Sequence, residues 1–552
     1  MKQFFRMYAF PLTVATLAIA FLVLFFLVPV LKVFSASLYD AAGKTLTLSN
    51  YSHVLSNRFF LNALGNSLAI AAAAFALTIA IGVPFAFCIA RLPIGGKAAL
   101  LALAALPLVL PSFVSAYALV LMFGRGGIIT SAMRSIGIPF ESIYGMKGII
   151  MTFTLTLYPY VVLPTIAAFR SIDVSIEEAA QNLGSSGFRT LRTVTLPIVM
   201  PSILAGGLLV FIEAMENFGV PFVLAEDKPI LAVETFKLFV GETAANPSSA
   251  GVLGMLLIFC TIVVLLIQRS VLARRYYASG ARRAPPLLAV SRPLHVVGAA
   301  FCWTVVTAAL VPFVAVIVIS FMRFSGPVLH YEFSLDNFAQ LLQRSYRPLV
   351  NTLFLSVSAA CAATLIGVPI GYLLVRRRSR MSALLEIVAT SPFAVAGTVL
   401  GIGLVLTYNS GPVILTGTWL IMVIAYAVRK LPFSARSSSA ILEQIDASLE
   451  EASVNLGVSP FATFLRITVP LILGGIVGGA VLSFVTIASE LSSTVVLYSG
   501  PWITMTVTMF QALEGTSAGE ATAAATVLIL FTVLPVALVY RLLRRFELSL
   551  LS

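Results

Sequence analysis

Ser175-Ile176-Glu177-Glu178-Ala179-Ala180-Gln181-Asn182-Leu183-Gly184, with Pro197 thirteen residues later, returns as Ser448-Leu449-Glu450-Glu451-Ala452-Ser453-Val454-Asn455-Leu456-Gly457, with Pro470 again thirteen residues on. A polar device built twice at an offset of 273, each time between long apolar runs, marks the same point in two equivalent membrane halves. The duplication reaches further: Asn66-Ser67-Leu68 and Ile81-Gly82-Val83-Pro84 recur as Asn351-Thr352-Leu353 and Ile366-Gly367-Val368-Pro369, both at an offset of 285. The difference between the offsets places a deletion in the second half, opposite the Gly-rich polar segment 124–148.

The apolar runs set the class. With 59% hydrophobic and 10% charged residues over 552 positions and a mean hydropathy of +1.02, the chain is not a soluble core under a polar skin. Crossing about 30 Å of hydrocarbon takes roughly 20 apolar residues in a helix. Twelve such spans are expected, near 11–34, 64–90, 98–123, 149–168, 197–224, 251–268, 293–322, 349–375, 382–407, 418–435, 470–497 and 521–540. The first follows Lys2 and Arg6 but is longer than the apolar part of a signal peptide and shows no small-residue cleavage site, so it is expected to stay as an anchor. The fold expected is an all-α integral membrane protein of two homologous six-helix halves, 1–268 and 293–552, joined by a basic, Pro-containing tether, 269–292. Six spans per half give both halves the same orientation, related by an axis along the membrane normal.

Lys and Arg concentrate in alternate loops, at Lys2 and Arg6, Arg91 and Lys97, Arg170, Arg189 and Arg192, 269–292, Arg376 to Arg380, Arg429 to Arg436 with Arg466, and Arg541 to Arg545. Such loops stay in the cytoplasm. Both repeated loops and both termini are therefore expected inside. The formal charge of +13 follows from this bias and from the few acids, and does not argue for nucleic acid as a partner; membrane lipid is the expected surroundings.

Within each loop, Ser175 with Glu178 and Ser448 with Glu451 fit a capping box that starts a short helix. Asp173, Glu177, Asp446 and Glu450 add negative charge near the positive end of the helix dipole. Gly184 and Gly457 can take the left-handed conformation that ends the helix, and a second stretch then leads to Pro197 or Pro470 at the first turn of the next span. Two short helices at an angle offer a knob that another protein could grip. The alternative is an amphipathic connector lying on lipid; against it stand the loop length and its presence in both halves.

The pattern Glu-Ala-Ala, then Gly, then Leu-Pro or Val-Pro resembles the EAA loop of the membrane subunits of bacterial binding-protein-dependent ABC importers. The matching positions are Glu178, Ala179, Ala180, Gly184 and Pro197, then Glu451, Ala452, Ser453, Gly457 and Pro470, with Ser453 departing by a hydroxyl. The resemblance, which covers nearly the whole chain, implies the type I importer permease fold. It also implies that these residues, together with Glu177 and Glu450, form coupling helices docked on two copies of an ATPase subunit, which bind ATP and Mg, while this chain carries no cofactor. It further implies a periplasmic or lipid-anchored solute-binding protein as partner and the bacterial inner membrane as location. The fused architecture is similar to importers of ferric iron, phosphonates, hexose phosphates, thiamine and polyamines. The strings Phe211-Ile212-Glu213 to Phe218-Gly219 and Glu490-Leu491-Ser492-Ser493-Thr494 look most like the ferric iron branch. In agreement, no Gly-x-x-x-x-Gly-Lys-Ser/Thr occurs; Gly95-Gly96-Lys97 continues with Ala98.

Acids at membrane depth are costly and usually face a bundle interior or water. Glu213 and Glu216 lie one turn apart with Asn217 beside them, and Glu490 occupies the position equivalent to Asn217. They are expected either to line a translocation pathway between the fifth and eleventh spans, or to hydrogen-bond neighbouring helices, or to lie near the external mouth and cap local structure. Tyr158, Tyr160 and Tyr426 either line the same path or pack as aromatics. These acids do not have metal-site spacing and no His joins them. Cys88, Cys260, Cys302 and Cys361 are scattered through apolar spans, which predicts buried thiols without disulfides. An ion-coupled secondary transporter would share the twelve spans but has no need of two matching capped loops; a membrane-embedded enzyme lacks any nucleophile and base at useful spacing.

Overall fold

The computed structural model describes residues 2–40, 44–139, 142–241, 246–274, 292–326, 328–376, 380–515 and 517–550. The described residues are overwhelmingly helical, with one antiparallel pair of strands, Met322–Ser325 and Val328–Phe333. Nine helices among them are long and apolar enough to cross a membrane, and up to eleven if two bent pairs each count as one. Those pairs are Leu384–Ala394 with Gly397–Tyr408, bent by 105°, and Pro460–Leu471 with Leu473–Ala488, bent by 76°. The expected straight spans 382–407 and 470–497 are thus broken. Pro392 and Gly397 flank the first break, where proline ends a helix. The expected span 98–123 is also two helices, Lys97–Val109 and Ser112–Phe123, parted at Leu110 and Pro111. The span expected at 418–435 is part of the helix Trp419–Leu442, which is long enough at 24 residues but carries Arg429, Lys430 and Arg436.

The chain packs as two compact units, one formed by Met1–Ser52, Thr235–Met255 and Ser320–Ser552, the other by His53–Glu234 and Leu256–Ile319. The units exchange their first spans relative to the sequence repeat. In the first unit, Ala15, Ala18 and Leu22 of the leading helix pack with Ile370, Leu373, Leu385, Ala389, Leu431 and Ala435. In the other, Cys302, Val306 and Ala309 of the helix Arg292–Ser320 enter a core with Phe85, Ile89, Tyr158 and Phe169. Residues 1–268 and 293–552 therefore divide the repeat but not the packing. Of the tether 269–292, residues 275–291 lie outside the described residues; the helix Pro247–Arg274 covers its start.

Helices in lipid gain little from hydrophobic transfer, so small residues that bring backbones together do much of the work. Gly367 and Gly371, one turn apart on the helix Asp336–Arg376, lie against the helix Trp419–Leu442: a Cβ on Gly371 would come within 2.5 Å of the Ser438 hydroxyl and 2.6 Å of the Ala435 carbonyl. Gly475 and Gly479 approach the same Ser-rich stretch at Ser437 and Ser434. This Gly and Ser seam holds three helices close enough to position the second repeated loop at their end.

Candidate functional site: two matched elbows

Each repeated loop folds as an elbow of two short helices. The first begins with Val174–Asn182, capped by Asp173, whose carboxylate accepts from the Ser175 N–H at 3.0 Å. In the second, Ser448–Asn455, the Asp446 carboxylate accepts from the Ser448 N–H at 2.9 Å. Hydrogen bonds from that N–H and from the Ser448 hydroxyl hold the Asp446 carboxyl below its usual range. The expected Ser caps are therefore Asp caps. The aspartate lies two residues upstream and takes the N–H of the serine itself, so the first-turn acceptor is a charged carboxylate.

Both helices stop as expected. Gly184 has φ +86° and Gly457 φ +90°. The N–H of Gly184 bonds the Gln181 carbonyl and that of Ser185 the Ala180 carbonyl; Gly457 to Val454 and Val458 to Ser453 repeat the pair. This is a Schellman stop in duplicate. Ser186 and Ser459 then cap the second helix through the N–H groups of Arg189 and Ala462. Each elbow leaves through a five-residue π-helical segment, Leu191–Thr195 or Phe464–Thr468, before Pro197 or Pro470.

Glu177 and Glu450, expected to serve the helix dipole, instead turn inward. The Glu177 carboxylate accepts from the Arg91 guanidinium and, at 2.8 Å, from the Thr195 hydroxyl. The Glu450 carboxylate accepts from Arg376 Nε at 3.0 Å, Thr468 Oγ1 at 3.1 Å and Tyr372 OH at 3.1 Å. The four charged side chains are between 4% and 13% exposed, which makes both pairs buried. Arg91 and Arg376 were counted only as loop charges in the sequence. Their common offset of 285, and that of 273 shared by Thr195 and Thr468, is the signal that could have found them.

Glu178, Ala179, Glu451 and Ala452 are exposed, Ala180 is half-buried and Ser453 is buried. Ser453 bonds the buried Thr463 hydroxyl at 2.9 Å, whereas the hydroxyl of Thr190, the counterpart of Thr463 in the other elbow, is buried without a partner. Ser453→Ala is expected to lower stability by about 1 kcal/mol, the cost of an unmade buried hydrogen bond, and Ala180→Ser to recover a similar amount, both readable as shifts in thermal unfolding of the detergent-solubilised protein. The outer faces carry matched exposed apolar residues: Ile176, Leu183 and Phe188 at 40, 89 and 76%, and Leu449, Leu456 and Phe461 at 49, 86 and 53%.

The intramembrane residues divide between the units. In one, Asn217 follows the helix Leu196–Glu216, accepting from the Val220 N–H at 3.0 Å and donating to Ser112 at 3.2 Å; Glu216 is buried and Glu213 half-buried. Tyr158 is packed edge-on against Phe85 in the core of that unit. In the other, Glu490 accepts from the Ser493 N–H at 3.2 Å, the counterpart of the Asn217 bond. It also pairs with Arg429 at 2.5 Å and Lys430 at 3.3 Å. Tyr426 bonds Thr494 at 2.8 Å and borders, with Glu490, Thr352, Thr504, Leu355 and Ile487 among others, a narrow crevice of mixed polar and apolar lining. Glu490 is thus neutralised within its own unit. Cys88 and Cys302, scattered in the sequence, meet in one core as free thiols.

Residues 82–276 and 363–551 each match the family described as the binding-protein-dependent transport system inner membrane component. The chain belongs to that family. As a fused member it carries two copies of the domain, which is the duplication seen in the elbows. Similar relatives include a ferric transport system permease protein of Actinobacillus pleuropneumoniae, 28% identical over 93% of this chain and 76% of its own length. An Fe(3+)-transport system permease protein of Haemophilus influenzae is 26% identical over 83% and 85%. A spermidine/putrescine transport system permease protein of the same species is 31% identical over 40% of this chain and 81% of its own. Among solved structures, a bacterial ABC transporter for alginate import aligns with 47% of this permease and 93% of its own chain, at 16% identity and a TM-score of 0.37.

Proposed function

We propose that this permease is the transmembrane part of an ATP-driven importer, with both elbows on the cytoplasmic side, each docked on one of two ATPase subunits that bind ATP and Mg. The observation that carries this reading is the pair of matched exposed apolar triplets, Ile176, Leu183 and Phe188 with Leu449, Leu456 and Phe461, raised on rigidly capped polar loops. Large apolar side chains exposed at the same three positions of two copies mark a covered surface. The absence of a P-loop from the sequence assigns nucleotide hydrolysis to the partners. Binding-protein dependence assigns solute delivery to a periplasmic or lipid-anchored protein on the opposite side.

Ferric iron is the cargo favoured by similarity, over 93 and 83% of this chain, to permeases named for it. Glu213, Glu216, Asn217, Glu490, Tyr158 and Tyr426 are the candidate pathway residues, and the Glu490 carboxylate also serves Arg429 and Lys430. Reconstituted with its ATPase and a ferric-loaded binding protein, the permease should accumulate radioactive iron only with ATP. ATP-dependent uptake of spermidine or a phosphonate in place of iron would keep the machinery and change the cargo. Uptake driven by an ion gradient without any ATPase would overturn the reading.

A further inference from the structure

We propose that Arg91 and Arg376 are positioning residues that carry the movement of each elbow into the membrane, through a three-way joint that ties one elbow carboxylate to the span that follows it and to a helix earlier in the same half, not the one that runs directly into the elbow. Arg91 is the last residue of the helix Arg58–Arg91, and Arg376 the last of Asp336–Arg376. Thr195 and Thr468 each end the π-helical segment that opens the following span. A single oxygen, Oε1 of Glu177 or of Glu450, accepts from both members of its joint. The arrangement occurs once in each packing unit, at the offsets of the repeat, so the second copy is an internal replicate of the first.

The physics follows from burial. Pulling the carboxylate away from its guanidinium leaves an uncompensated buried charge, so the pair resists separation far more than an exposed one would. An elbow that is displaced therefore takes both spans with it. The π segment supplies the compliance: its extra residue per turn interrupts the regular ladder and is a recognised site of helix bending. Rigid joint and soft turn meet at Thr195 and at Thr468. Tyr372 adds a donor to the second joint where the first has Phe87 at the equivalent position, and Arg376 Nη2 also bonds the Ile445 carbonyl at 3.0 Å, while Arg91 Nε is buried without a partner. The second joint is the more completely bonded.

This inference rests on the docking reading, and its test separates the two. Arg91→Ala and Arg376→Ala, alone and together, are compared with the unaltered complex for co-purification of the ATPase, stimulation of ATP hydrolysis by loaded binding protein, and uptake. The expected result is retained co-purification with stimulation and uptake reduced about tenfold or more in the double variant, the size of an ordinary coupling between sites, and the Arg376→Ala variant affected more than Arg91→Ala. The exchanged pair Arg376→Glu with Glu450→Arg should regain much of the loss, which a merely structural contact with the guanidinium stem would not allow. Normal stimulation in the double alanine variant overturns the proposal, as does an exchanged pair that assembles but stays uncoupled. Should the alanine variants not accumulate, Thr195→Val with Thr468→Val removes one hydroxyl from each joint, and unchanged coupling there overturns it equally. Failure of the unaltered chain to bind any ATPase would instead remove the docking reading.

Discussion

Arg429→Ala is expected to lower the stability of the permease by about 3 kcal/mol or more, the usual consequence of removing one partner of a buried ion pair, and to deplete it from the membrane. Glu490 is 6% exposed at its side chain and is held by Arg429 Nη1 on one oxygen and Lys430 Nζ on the other. Its Oε1 also accepts the N–H and hydroxyl of Ser493, so the carboxylate organises the turn that follows the helix Leu473–Ala488. Without Arg429 the charge keeps only Lys430 and the turn. Glu490→Gln should cost a comparable amount, because Arg429 and Lys430 then lose their shared counter-charge even though the amide oxygen can still accept from Ser493. The double variant should cost less than the sum of the two, since the second change removes the orphan left by the first. A thermal-unfolding series over the four proteins checks this; strictly additive losses would show that the pair contributes no coupling.

The second large effect is at the helix stops. Valine at Gly184 and Gly457 forces a β-branched residue into a left-handed conformation, at roughly 1–2 kcal/mol per site. A Cβ built on either glycine meets nothing within 4 Å, so the cost is conformational and not steric. The cheapest escape is to unwind the last turn of Val174–Asn182 or Ser448–Asn455, which displaces Leu183 or Leu456 from the outer face. Gly184→Val with Gly457→Val should therefore abolish stimulation of the ATPase by loaded binding protein while the protein still accumulates. Asparagine, which tolerates this conformation, should retain most of it. Equal behaviour of the valine and asparagine variants would show that the stop geometry is immaterial.

Much of this was written in the chain. The doubled loop, its two glycines and the apolar runs follow from local chemistry and periodicity, and they survive as helices, stops and spans. The caps differ from expectation because Asp173 and Ser175, or Asp446 and Ser448, are both able to start a helix, and only geometry shows that each aspartate does so by accepting the N–H of the serine two residues on. Glu177 and Glu450 were placed in the right turn with the wrong partner, because dipole arguments see sequence neighbours while Arg91 and Arg376 approach from spans 86 and 74 residues away. The exchanged first spans were not legible at all, since an apolar stripe does not say which bundle it joins. The 105° and 76° bends were hidden because proline and glycine mark where a span can break without fixing whether it does.

On the docking reading, the elbows are the grip of a separate motor. A photo-crosslinking residue placed at Leu183 or at Leu456, the two most exposed apolar positions of the elbows at 89 and 86%, tests that contact in the assembled complex with nucleotide present. Both positions should yield a covalent adduct with the ATPase subunit. Adducts with lipid alone, from a complex that contains the ATPase, would contradict it.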